Sequence, residues 1–113
     1  MTHKTPQPPA HLTAKTRRWF ASVCDEFELE EHHLRLLELA CEAWDRCQAA
    51  RTVIDKEGMI YVDRFDAPRA RPEIVIERDC RLAFARLVRE LDLDLAPPVD
   101  ASRPPALRSI RRG

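Results

Sequence analysis

Apolar residues recur at helical intervals through most of this chain, and the intervals break at only a few places. Trp19, Phe20, Val23 and Phe27 fall on one side of a helix. Thr13 stands where an N-cap belongs, so a first helix is expected from there to about Phe27. Glu30 and Glu31 suit the positive end of a second helix, which continues to Glu57 and stops at Gly58. That helix carries two apolar stripes: Leu34, Leu37, Cys41 and Trp44 form one, and Leu36, Ala40, Ala43, Cys47, Ala50 and Ile54 form the other. Past Gly58 the pattern changes. Met59 to Val62 reads as a short strand and Asp66 to Pro68 as a turn, which predicts a small β-hairpin or strand-loop. Pro72 fits the first turn of a third helix ending near Leu91, with Ile76, Cys80, Ala83, Phe84, Leu87 and Leu91 on its inner side.

The expected fold is therefore mainly α: a helical hairpin with a long central helix, a short β-hairpin or strand-loop, a third helix and a flexible tail rich in proline and arginine. Three regions follow, a flexible Pro-rich leader over 1–12, a helical core and oligomerisation domain over 13–91, and a flexible tail over 92–113. The nine prolines cluster toward both ends, which supports this division. A central helix of about 28 residues spans roughly 42 Å, whereas a compact domain of about 100 residues has a radius of gyration near 13 Å. The first helix covers only about half of that length. Leu36, Ala40, Ala43, Cys47, Ala50 and Ile54 are accordingly candidate contacts with another subunit, with a well-packed intramolecular core as the competing reading.

Composition excludes several chemistries. Gly58 and Gly113 are the two glycines, too few for a phosphate-wrapping Walker loop, a dinucleotide fingerprint or a nucleophile elbow. Cys24, Cys41, Cys47 and Cys80 sit in helical patterns without a Cys-x-x-Cys spacing, which favours reduced, buried thiols over disulfides or zinc. Glu30, Glu31, His32 and His33 point in four directions about 100° apart on a helix, so they do not converge on a metal ion without help from elsewhere. No catalytic residue, metal or cofactor is expected. No run of about 18 apolar residues exists to span a bilayer, and the first 30 residues lack a secretory core.

Net charge is zero but unevenly placed. Lys4, Lys15, Arg17 and Arg18 precede the first acid, Asp25, while Arg103, Arg108, Arg111 and Arg112 follow the last, Asp100. All but three of the 19 basic residues are arginine, a bias that suits phosphate contact and equally follows from a GC-rich genome.

The stretches "PPAHLTAKTRRWFASVCDEFELEEHHLRLLELACEAWDRC", the Gly58 break with "YVDRF", and "RPEIVIERDCRLAFARLVREL" together resemble the small terminase subunits of tailed bacteriophages. The likeness runs from about Pro8 to Leu107 and lies in the order of elements rather than in a catalytic signature. One departure is "LDLDLAPP" from Leu91 to Pro98, where such chains often close the last helix with a glycine. The resemblance implies a ring-forming homo-oligomer without enzymatic activity. It would bind double-stranded viral DNA in the cytoplasm of the bacterial host and hand it to a large terminase subunit holding the ATPase and nuclease. Combined with the charge map, it makes Lys15, Arg17, Arg18, Arg103, Arg108, Arg111 and Arg112 the candidate DNA contacts. The tail has an alternative role in binding the large subunit or the portal protein. Two other readings compete: a stand-alone helical DNA-binding regulator, and a metal-dependent nuclease built on Glu30 to His33.

Overall fold

The computed structural model describes residues 5–93. Its elements run α1 (Ala14–Glu26), α2 (Glu31–Glu57), β1 (Ile60–Val62), β2 (Pro68–Ala70) and α3 (Glu73–Leu91). The expected mainly helical architecture with one small antiparallel sheet is present. Arg103, Arg108, Arg111 and Arg112, and the tail from residue 94 onward, lie outside the described residues.

Each helix ends for a local reason. Thr13 is extended, and its hydroxyl oxygen accepts from the Thr16 amide at 3.3 Å, capping α1. Gly58 closes α2 with φ 89° and ψ 174°, a conformation essentially restricted to glycine. A Cβ built there meets no atom within 4 Å, so the barrier to substitution is backbone strain and not space. Gly58→Ala is expected to cost about 1–3 kcal/mol, read as a lower urea midpoint without change of secondary structure.

Residues on α2 and α3 pair in antiparallel order. Cys47 meets Glu77, Trp44 meets Phe84 at 5.1 Å between ring centroids, and Leu37 and Leu91 share one core. The two helices thus form a hairpin joined through β1 and β2, and α1 lies across the first half of α2. The core is where the three helices meet: Leu12, Phe20, Val23, Leu37, Cys41 and Leu91 are buried together. Asp45 on α2 fastens α1 to this core by accepting from the Thr13 amide at 2.8 Å and from the hydroxyls of Thr13 and Thr16 at 3.0 and 2.6 Å. His11 pairs with Glu42 at 2.8 Å, and Leu12 is only 3% exposed. The end of the leader is therefore packed, and the core begins one residue before Thr13 because Leu12 adds apolar area to it.

Packing within the single chain departs from the sequence pattern on α3 and bears on the stripe of α2. Ala40, Ala43, Cys47 and Ala50 are buried within the single chain, while Leu36 and Ile54 are half-buried. The small-residue stripe is covered by α3, whose 19 residues return along α2 beyond the reach of α1. Within the single chain these four small side chains face α3 rather than solvent. On α3 itself the inner side is rotated from the expected one. Ile76 and Ala83 are exposed, and Ile74, Glu77, Cys80, Phe84, Leu87, Val88 and Leu91 turn inward. The reason is Glu77, a charged residue that sequence reading places outside. Its carboxylate accepts from Arg51 at 3.2 Å, Arg81 at 3.3 Å and the Cys47 thiol at 3.5 Å, and these donors offset its desolvation.

Candidate DNA and assembly surfaces

Three basic residues open α1, and the structure gives them different surroundings. Arg17 donates to the carbonyl oxygens of Ala10 and Leu12 at 3.2 and 2.8 Å, so it holds the leader against the helix. Arg18 is exposed and has no partner among the described residues. Lys15 borders a groove lined by Thr16, Trp19, Trp44 and Phe84, with a volume of about 230 Å³. The Phe84 ring lies between the two indoles, with centroids 6.0 Å from Trp19 and 5.1 Å from Trp44. Trp44, on the first apolar stripe of α2, is 39% exposed at this groove.

A larger hollow of about 610 Å³ sits between the leader and the α1–α2 turn, where Asp25, Glu26 and Glu28 line it. Those carboxylates repel phosphate. At the start of α2, His32 and His33 stack at 4.0 Å and His32 approaches Glu30 at 3.9 Å. Among the described residues no group of three or more histidines, cysteines and carboxylates is placed to hold a metal ion. The cluster on which a metal-dependent nuclease would be built is not assembled there. Burial beside Asp45 pushes the Cys41 thiol up to about 12, desolvation being the larger cause, so it stays protonated and is a poor nucleophile or metal ligand.

The sequence model of the family described as phage terminase, small subunit, matches residues 14–101. The chain belongs to that family. No curated protein and no solved structure matches it. The match takes in all three helices and the β-hairpin. No helix among the described residues is long and apolar enough to cross a membrane.

Two surfaces of this small-subunit chain escaped the sequence reading. On α3, Arg78, Arg81, Arg86 and Arg89 fall within about 140° of the helix circumference at 100° per residue, with Asp79 and Glu90 just beyond its edge on the Arg86 flank. Arg81 is tied to Glu77 and Arg78 approaches Asp79 at 3.5 Å, whereas Arg86 and Arg89 have no partner among the described residues. The spacing was legible, but counting charge by chain segment averages this stripe with the acids of the middle region.

The second surface is the hairpin, paired in the register Ile60↔Ala70, Tyr61↔Arg69 and Val62↔Pro68. Asp63 builds its turn, accepting from the amides of Phe65 and Ala67 at 2.8 and 3.0 Å and from Arg69 at 2.8 Å. The Arg69 guanidinium, followed by those amides, holds the Asp63 carboxyl below its ordinary range. Met59, Ile60, Tyr61, Val62 and Phe65 are all exposed, Phe65 to 73%. Consecutive strand residues point to opposite faces, so these exposed apolar side chains leave both sides of the hairpin hydrophobic.

Proposed function

We propose that the chain is the non-catalytic DNA-recognition subunit of a phage packaging terminase. It assembles into a homo-oligomeric ring in the cytoplasm of the bacterial host, holds double-stranded viral DNA, and presents it to the large subunit carrying the ATPase and nuclease. The family match over 14–101 carries this reading. The exposed apolar hairpin supports an assembly, because an isolated chain would leave that surface in water. On the described surface, phosphate contact falls to Arg18, Arg86 and Arg89, which are free of internal partners. Arg103, Arg108, Arg111 and Arg112 of the tail add to them or meet the large subunit or portal. Arg17 contributes less, since its guanidinium is committed to Ala10 and Leu12.

Repetition around a ring turns a few weak phosphate contacts per copy into useful avidity. Titration of duplex DNA at several salt concentrations is the test. The log affinity is expected to fall by about 0.9 per log unit of salt for each neutralised phosphate. An Arg18→Ala, Arg86→Ala, Arg89→Ala variant and a truncation after Ala101 should each flatten that slope while the oligomer persists. If neither does, these arginines do not hold DNA. A mass above a dimer by light scattering separates the packaging reading from a dimeric regulator of a palindromic site.

A further inference from the structure

The hairpin tip and the aromatic groove are complementary, and one chain cannot join its own pair. Trp44 and Gly58 are 14 residues apart on α2, about 21 Å along its axis. The hairpin does not fold back over that distance, because every residue from Met59 to Asp66 except Asp63 is exposed. At its tip Phe65 projects with the Arg64 guanidinium 5.0 Å from one side of its ring. The groove is open, apolar and aromatic. Its volume of about 230 Å³ exceeds the cavity of about 150 Å³ that takes up benzene in an engineered protein. Charge matches as well. Lys15 stands on the groove and supplies the positive charge of this rim, the amino end of α1 beside it being already capped by the Asp45 carboxylate. Asp66 adjoins Phe65 and its carboxylate has no partner among the described residues. Arg64 travels with the ring at little cost, since the tryptophan indoles in the groove are good partners for a guanidinium.

We propose that Phe65 of one copy seats in the Trp19, Trp44 and Phe84 groove of a second copy, with Asp66 beside Lys15. Knob and groove lie at different places on the chain, so the contact is head-to-tail. Such a contact closes into a ring when the rotation per copy permits. The proposal rests on the assembly reading above and names the surfaces that make it. It removes Lys15 from the DNA contacts and places it in the subunit interface.

Trp19 and Trp44 are the two tryptophans of the chain, and both line the groove, so intrinsic fluorescence reports its occupancy. The full-length protein is diluted through its dissociation range while mass and tryptophan emission are followed together. Dissociation should shift the emission to the red. Phe65→Ala, at an exposed position, should stay folded by circular dichroism, weaken association roughly tenfold to a hundredfold, and show the red-shifted emission throughout. Trp44→Ser chains lack the groove, so mixing them with Phe65→Ala chains should leave one intact contact and give a dimer and nothing larger. If Trp44→Ser does not fold, Phe65→Ala and the dilution series decide alone. A wild-type chain that stays monomeric overturns the assembly reading itself. An oligomer that survives Phe65→Ala with unchanged emission overturns only the hairpin contact. So does dissociation with no change in emission, which would place hairpin against hairpin.

Discussion

Leu37→Ala is expected to destabilise the fold by about 2–5 kcal/mol, enough to remove a large share of the roughly 5–15 kcal/mol typical of a domain. Leu37 is fully buried at the point where α1, α2 and α3 meet. Its loss opens a cavity between three elements at once, and none of them can relax without pulling on the other two. The second half of α2 offers no comparable site, since the residues buried there are Cys47 and Ala50. Urea denaturation monitored by circular dichroism gives the magnitude. Leu39→Ala is the control: its side chain is 51% exposed, and its removal should change the midpoint little. Equal effects of the two substitutions would mean that the three-helix junction is not the centre of stability.

Removing the acceptor at Glu77 should have the next largest effect. Glu77→Ala leaves Arg51, Arg81 and the Cys47 thiol without the carboxylate they share, and a melting temperature lower by about 5–10 °C is expected. The two guanidinium groups are more than half exposed, so water recovers part of what they lose. The pH dependence has a definite sign. The Arg81 hydrogen bond, with lesser help from Cys47 and Arg51, holds the Glu77 carboxyl below its ordinary value of 4.5 against the opposing effect of desolvation. A carboxyl depressed on folding contributes stability that is fully present above about pH 4.5 and is lost as the pH falls through its folded value. Thermal melts of the wild type should therefore drop steeply in that acid range. Glu77→Gln should start lower and fall less steeply. It will not be flat, because Asp63 in the hairpin turn is depressed by Arg69 and titrates in the same direction. Parallel curves for the two proteins would show that the Glu77 cluster does not contribute.

The sequence by itself determined the elements, because helix, cap and turn signals act over a few residues. Thr13, Gly58 and Pro72 mark boundaries through local backbone preferences, and the structure places its helix ends within a residue or two of them. The family was legible in the same order of elements, and the family model matches across it. What the tertiary structure decided is which apolar side meets which. The stripe of Ala40, Ala43, Cys47 and Ala50 shows that some partner comes close, but nothing in it says whether that partner is α3 of the same chain or another copy. Within the single chain the antiparallel return of α3 covers those four positions. The inner side of α3 was misread for a related reason: hydrophobicity alone assigns Ile76 inward and Glu77 outward. Burial of Glu77 becomes favourable only when Arg51 and Cys47, 26 and 30 residues away, supply donors alongside Arg81. The aromatic groove likewise joins Trp19, Trp44 and Phe84 from three different helices. Contacts between residues so far apart in the chain arise from packing, and no local pattern encodes them.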